Sequence, residues 1–431
     1  MTRNLRIAFF VHEFPALSET FVLNQITGLL DLGHDITIFA VRPRAESVVH
    51  GDIERYGLRE RTRYLNMPVS VSRRIAKGFL SALGYGWRQP QVILRSLNIG
   101  RYSHDALSLR LLFWALCLRE EKPFDILHCH FGPIGQLASK LRDAGIVAGR
   151  LVTVFHGVDI SAYVREQPDY YRFLFSHGDL FLPISHAWSR KLVALGCDPA
   201  RIEVHHMGID TVRYPFRSRH YTSGQPLRIL TVGRMIQKKG ISDGLAAVAG
   251  LFRKKIPVRY SIVGDGPLRT DLVELTDRLG ISSCVEFVGW QEQATVARMM
   301  ADNDVLLAPS VTGADGDQEG IPVTIMEAMA AGMLIVSTRH SGIPELVEDG
   351  HCGFLVDERD VPSLIHAFEK LIASGDIWAP MSVAAREAVE KNFEITDLNK
   401  NLARRFESLL EDVDPPSRRS MFMARRRFAT N

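Results

Sequence analysis

The chain has 431 residues, 46% of them apolar and 23% charged, with a formal net charge of +3. That length exceeds one ordinary core and favours two domains; the composition excludes a disordered chain, and so small a charge gives no argument for nucleic acid as a partner. The five cysteines (Cys117, Cys129, Cys197, Cys284, Cys352) are odd in number and scattered without metal-ligand spacing, which favours a reducing, cytoplasmic setting over a disulfide scaffold.

Short β-rich runs alternate with helical patterns from the start of the chain. The apolar run before His12 is too short for a signal-peptide core and reads instead as a first strand, residues 5–11. No window reaches the ~18 uninterrupted apolar residues of a spanning helix. Residues 19–32 place Phe21, Val22, Ile26, Leu29 and Leu30 at helical spacing, and Gly33 stops them. Further strands are expected at 36–41, 126–130, 151–155, 180–184 and 202–205. A second series follows at 227–232, 258–263, 285–288, 305–308, 334–337 and 354–356. Such alternation predicts α/β architecture, two doubly wound units with a cleft between them and ligands at the carboxyl ends of the strands. The polar stretch 217–226 reads as the linker.

Several constellations fall at those strand ends. Asp125-Ile-Leu-His-Cys-His130-Phe-Gly132 puts His130 at the end of one strand, and Phe155-His156-Gly157-Val-Asp159 repeats the arrangement on the next. A histidine there can bond a sugar hydroxyl, carry a proton, or serve only as a structural hydrogen bonder. His128, His130 and His156 raise a zinc site, but no neighbouring ligand completes a familiar spacing, so no metal is expected. In the second series Gly233-Arg234 and Lys238-Lys239-Gly240 form either a diphosphate clamp or a solvated basic turn. Gly264-Asp265-Gly266-Pro267 reads as a tight turn, and Phe287-Val288-Gly289 as a strand end that serves packing by default or offers its backbone to a base edge.

The segment from Gln318 to Leu355 carries most information. Glu319 and Glu327 lie eight positions apart, across a Gly320-Ile321-Pro322 that can open a helix and an alanine-rich run that can continue it. A helix start offers free N–H groups and a positive dipole end to an anion. Eight residues make a little over two turns, so Glu327 emerges on nearly the same side. One carboxylate beside a phosphate site and another two turns along suit a nucleotide sugar.

Taken in order, Gly233-Arg234, Lys239-Gly240, Gly264–Pro267, Phe287–Gly289, Glu319 with Glu327, Gly342-Ile-Pro-Glu345 and Gly353-Phe354 resemble the retaining glycosyltransferases of family 4. His12–Val22, Val311–Asp317, His130–Pro133, Phe155–Ile160 and Leu182–Ser185 are similar to the colanic-acid and amylovoran type that serves exopolysaccharide biosynthesis. The resemblance implies the GT-B fold, two Rossmann-like domains facing a central cleft. It also implies Glu319 and His130 as catalytic residues beside the transferred sugar. Arg234 and Lys239 would hold the donor diphosphate with the backbone of Gly320 and Ile321, Glu327 the ribose, and the backbone at Val288 the base. Ser18, Glu19, Thr20, His156 and Asp159 would face the cleft or the acceptor. No cofactor and no metal are implied. Retention in the family is ascribed to front-side attack by the acceptor hydroxyl, the leaving phosphate taking its proton.

The implied divisions are an acceptor-side domain at 1–216, the linker at 217–226, a nucleotide-sugar domain at 227–395, a helix at 396–415 returning to the first domain, and a basic tail at 416–431. Three departures stand out: Phe-Pro-Ala-Leu-Ser-Glu in place of a glycine pair, Pro322 without an N–H to give, and His206-Met-Gly208-Ile-Asp210 at the hinge. The donor reads as a UDP-sugar ahead of a GDP-sugar, and the acceptor as a saccharide or polyprenyl-diphosphate-linked intermediate. Basic residues between Arg42 and Arg110, interleaved with Phe79, Leu80, Leu83, Tyr85 and Trp87, suggest either a peripheral face for anionic membrane or an ordinary insertion with solvated arginines. The tail from Arg418 to Phe428 raises the same pair of readings. Alternatives are a nucleotide-sugar epimerase on this fold and a non-catalytic nucleotide-sugar-binding subunit.

Overall fold

The computed structural model describes residues 3–16, 19–44, 50–86, 90–165, 167 and 169–411. Ser18, the tail from Arg418 to Phe428, Trp87, and the side chains of Leu83 and Tyr85 lie outside the described residues. Two six-stranded parallel sheets organise the chain. The first contains β1 (Arg6–Glu13), β2 (Asp35–Arg42), β3 (Thr62–Tyr64), β4 (Ile126–His130), β5 (Arg150–Phe155) and β6 (Leu180–Pro183), in the order β3-β2-β1-β4-β5-β6. The second contains β7 (Leu227–Val232), β8 (Val258–Val263), β9 (Val285–Gly289), β10 (Val305–Ala308), β11 (Leu334–Thr338) and β12 (Phe354–Val356), in the order β12-β11-β10-β7-β8-β9.

Both orders reverse direction beside the first strand of the set, the arrangement that leaves a crevice at the carboxyl ends. Central strands such as β4 and β11 are buried at every position, as expected of parallel strands covered by helices on both faces. Strands formed where β-branched and aromatic runs were bounded by glycine or polar residues. One expectation needs correction, and one strand was not anticipated. Residues 202–205 form no strand: they leave the Pro199–Arg201 turn that Asp198 caps, with an isolated bridge at Ile202, and the His205 N–H donates to the carbonyl of Pro183 at the end of β6. The edge strand β3, in contrast, is three residues long and carries no readable period.

The chain divides into two compact units. One comprises Met1–Val154, Tyr171–Phe181 and Asn399–Asn431; the other comprises Phe155–Tyr170 and Leu182–Leu398. The first unit is discontinuous, and its last helical piece packs intimately on its first. The Asn399 side chain donates to the Asn24 carbonyl at 3.1 Å, and Gly28 leaves room for it, since a Cβ there would lie 1.9 Å from Asn399 Nδ2. Leu402 and Phe406 are fully buried, and the Phe406 ring lies 5.4 Å from that of His128. Between β3 and β4 the same unit carries the helices Val71–Gly86, Pro90–Ser96, Ile99–Tyr102, His104–Leu107 and Arg110–Leu118. In the second unit, the stretch 217–226 lies on the unit's own surface layer. Arg219 is buried, donating to the carbonyls of Asn303, Arg217 and Met300, and Tyr221 packs on Trp378.

Candidate active site

The carboxyl edge of the second sheet brings three loops together by glycine contacts that admit no side chain. After β7, Gly233 faces Gly264 (φ +128°), where a Cβ would fall 2.0 Å from the Gly233 carbonyl oxygen. A short 3-10 turn, Gln237–Lys239, ends at Gly240 (φ +60°), whose Cβ would meet the Pro309 oxygen at 1.8 Å. The turn therefore lies flat on the loop that follows β10 and aims Lys238 and Lys239 towards it. Lys239 Nζ is 3.3 Å from Glu319 Oε1, and Lys238 Nζ lies 2.9 Å from Asp317 Oδ2 and 3.6 Å from Glu319 Oε1. Arg234, at the mouth of the same loop, is exposed.

Glu319 is 9% exposed. Burial pushes its carboxyl up, but Lys239 and Lys238 outweigh that and hold it below the usual range, so it is ionised at neutral pH. Its backbone N–H donates to Nε2 of the fully buried His340 at 3.0 Å. His340 Nδ1 lies 2.6 Å from Glu358 Oε1, and the other oxygen of Glu358 accepts the Thr312 N–H at 2.8 Å. Because Nε2 accepts a backbone N–H, the proton belongs on Nδ1 and the imidazole is neutral.

Past Glu319, Gly320 and Ile321 lead to Pro322 at the cap of the helix Val323–Ala330. Gly320 is pressed against the turn after β5: a Cβ would lie 2.9 Å from the His156 carbonyl and 2.4 Å from Ile184 Cδ1. Gly157 (φ +138°) faces back towards the Gln318 oxygen and the Gly320 nitrogen. Asp159, 1% exposed, fastens this turn by accepting the N–H groups of His156 (3.1 Å) and Gly157 (2.8 Å). Two turns along the helix, Glu327 Oε1 accepts from Tyr214 Oη at 2.6 Å, and Gln293 Nε2 donates to that hydroxyl at 3.1 Å. Burial raises the Glu327 carboxyl to about 7, against the pull of Tyr214 and Gln293. Val288 lies on the edge strand β9, where its carbonyl accepts from Gln291 Nε2 at 3.4 Å.

The structure thus gathers Lys239, Glu319, Gly320, His156 and Asp159 in one place, with Ile321 and Glu327 on the same helix start. His130, Glu19 and Thr20 belong to the first unit. His130 ends β4 fully buried, its ring 5.8 Å from Phe9, 6.1 Å from Phe21 and 4.9 Å from His128. Glu19 and Thr20 begin the helix Thr20–Asp31 and line a small recess with Glu13, Phe14 and His50. Among the described residues, the one grouping of metal-competent side chains is His186, His206 and Glu345, none of them singled out from sequence as ligands. Both Glu345 oxygens already accept helix-start N–H groups, from His186 (2.8 Å) and Ala187 (3.0 Å), so this cluster reads as a helix cap.

Comparison with known proteins decides the family. Residues 18–208 match the family described as a glycosyl transferase 4-like domain, and residues 226–374 match glycosyl transferases group 1. The chain is 38% identical to a protein of Salmonella typhimurium named as the colanic acid biosynthesis glycosyltransferase WcaL, over 95% of this chain and all of that one. The chain belongs to the group 1, family 4 glycosyltransferases. It is also 39% identical to the amylovoran biosynthesis glycosyltransferase AmsK of Erwinia amylovora, over 93% of this chain and 98% of the relative. This glycosyltransferase shares the GT-B fold with Anabaena HepE, solved with UDP and glucose (TM-score 0.68, 16% identity, 94% of this chain and 100% of that one). The lipopolysaccharide outer core galactosyltransferase WaaB is similar in the same sense (TM-score 0.67, 18% identity, 93% and 99% covered).

In this glycosyltransferase four side chains at the site escaped the sequence reading: Tyr214, Gln293, His340 and Glu358. Only His340 carried a local signal, since it follows the end of β11 and precedes Gly342-Ile-Pro-Glu345. No helix among the described residues is long and apolar enough to cross a membrane.

Proposed function

We propose that this glycosyltransferase moves a hexose, with retention, from a nucleotide-diphosphate sugar to a lipid-linked saccharide in exopolysaccharide assembly. The observation that carries the reading is the parking of Lys238 and Lys239 on Glu319, beside the start of the helix Val323–Ala330, where Pro322 offers no side-chain cap. Charge-assisted contacts of this kind favour a dianionic diphosphate over a single carboxylate. A donor diphosphate would draw the two ammonium groups from Glu319, add Arg234, and accept from the backbone of Gly320 and Ile321. Negative charge that builds on the leaving phosphate would then meet fixed cations and a helix dipole, which act most strongly away from bulk water.

Glu319, freed from its lysines, would turn its negative charge towards the anomeric carbon as that carbon becomes oxocarbenium-like. Glu327 would exchange the Tyr214 hydroxyl for the ribose diol, and the Val288 backbone would meet the base. His156 and Asp159, held against Gly320, would shape the sugar subsite. His130, Glu19 and Thr20 are assigned to the acceptor side. The UDP and UDP-glucose bound in HepE favour a UDP-sugar here, and the names of WcaL and AmsK favour an exopolysaccharide acceptor.

The test incubates purified enzyme with labelled UDP- and GDP-hexoses, with and without membrane-extracted lipid-linked saccharide. Label moving into the lipid fraction only when acceptor is present supports the proposal. Donor converted to an epimer without acceptor would replace it with the epimerase reading, and binding with no conversion would replace it with the non-catalytic one.

A further inference from the structure

The helix Val71–Gly86 is amphipathic in the wrong sense for a chain surrounded by water. Val71, Ile75 and Phe79 recur every four residues and so share one side; with Leu80 beside them they are 65%, 57%, 64% and 69% exposed. The flank next to Val71 is tied down. Gly78 is buried against Leu109, Leu112 and Phe113, and Arg74 spends its guanidinium on the carbonyls of Pro68, Val69 and Ser108 at 3.1–3.2 Å. The helix cannot roll to hide its apolar side without breaking those contacts. An apolar helical face held outward marks a docking surface.

Charge decides what docks. Residues 61–104 contain no Asp or Glu but eight Arg or Lys. Several of the eight are engaged locally, Arg101 with Asp143 among them. Arg73 and Lys77 are exposed and flank Leu80 on the helix, Lys77 Nζ also donating to the Asn66 carbonyl at 3.1 Å. A second copy of this chain meeting the same face would set cations against cations, with no Asp or Glu in residues 61–104 to answer them. A surface that is apolar within and anionic at its boundary matches both features, and that is the headgroup and acyl region of an acidic bilayer. We propose that the Val71–Leu80 face docks this glycosyltransferase on anionic lipid. The inference goes beyond the transfer reaction and does not rest on it.

The test is vesicle flotation of the full-length protein, using phosphatidylcholine with or without about one third phosphatidylglycerol. Wild type co-floats with the acidic vesicles and is released by salt. Ile75→Ser with Phe79→Ser lowers the partition about tenfold or more, and Arg73→Glu with Lys77→Glu does the same for acidic vesicles. Both variants keep the wild-type thermal melt and transfer sugar to a detergent-solubilised acceptor at the wild-type rate, so failure of the transfer reading and failure of the docking reading are separable. The inference is overturned by equal partition into neutral vesicles, by no partition into either, or by partition that survives both variants, which would move the contact to another segment. It is also overturned if wild type sediments as a dimer that Phe79→Ser dissolves, or if the face pulls down an acidic protein and no lipid.

Discussion

Glu319 hangs by its backbone from His340: the Glu319 N–H donates to His340 Nε2 at 3.0 Å, while Nδ1 of the same ring is held 2.6 Å from Glu358. The imidazole is a spacer between two loops, and the position of the Glu319 carboxylate follows from it. His340→Ala leaves a buried N–H without an acceptor, which costs about 1–3 kcal/mol of stability. It should also lower kcat by between about ten- and a hundredfold through misplacement of Glu319, with little change in donor KM. His340→Gln, which keeps an acceptor, should recover part of the rate. Denaturant melts and steady-state kinetics on the two variants check this; equal kcat in wild type and His340→Ala removes the positioning role.

Lys239 and Glu319 should separate kinetically. Lys239→Gln weakens the grip on the leaving diphosphate and should raise donor KM, with an added loss in kcat of about a hundredfold if the cation acts in the transition state. Glu319→Gln keeps the shape and removes the charge, so kcat should collapse while donor binding tightens, because Lys239 loses its competing carboxylate and Lys238 keeps only Asp317. Isothermal titration with UDP on the variant reads the second effect directly.

Glu327 makes a pH-dependent contribution of defined sign. Its carboxyl titrates near 7 in the folded chain and near 4.5 when unfolded, so the native state holds the extra proton and stability falls as pH rises from about 4.5 to about 7. Glu327→Gln should therefore stabilise the protein by up to about 3 kcal/mol at pH 8 and leave it unchanged at pH 4. The same variant should weaken donor binding if the ribose diol is held there. Thermal melts at the two pH values and UDP titrations check the two halves separately.

His128 acts in the opposite window. Burial pushes its imidazole down to about 3 from an ordinary 6.5, and its Nε2 lies 3.2 Å from Gln25 Oε1. The unfolded chain binds the proton that the native state refuses, so stability is lost as pH falls below about 6.5. Replacing His128 with Gln should flatten the decline between pH 6.5 and 4, by about 2 kcal/mol or more at the lower limit. A melt series across that range, with and without the substitution, is the measurement.

The parts legible in the sequence are those fixed by local chemistry. Strands β4, β7, β8, β10 and β12 begin and end where the apolar runs do, because a parallel strand covered on both faces is a short apolar block bounded by turn residues. Residues 202–205 show the limit: Ile202 and Val204 alternate as in a strand, yet a strand needs a continuous partner edge, and the segment makes an isolated bridge at Ile202 with a backbone bond from His205 to Pro183. At the site, Lys239, Glu319 and Gly320 were legible because a turn and a helix start announce themselves within a few residues. Tyr214 was not, since the carboxylate it serves lies 113 residues away, and nothing near a tyrosine records so distant a partner. Gly240 and Gly264 could be read as turn glycines, but not as the points where two backbones nearly touch.

The discontinuity of the first unit sets an order of assembly. Its opening helix leaves a notch at Gly28 that only Asn399 fills, and the buried imidazole of His128 meets Phe406, which is synthesised 278 residues later. The half that emerges first from the ribosome is thus finished last. Until the carboxyl-terminal helix arrives, the nascent amino-terminal half carries a bare apolar seam and must be kept from aggregating. Expressed alone, that half is expected to be insoluble, and restoring residues 395–411 in trans should rescue it.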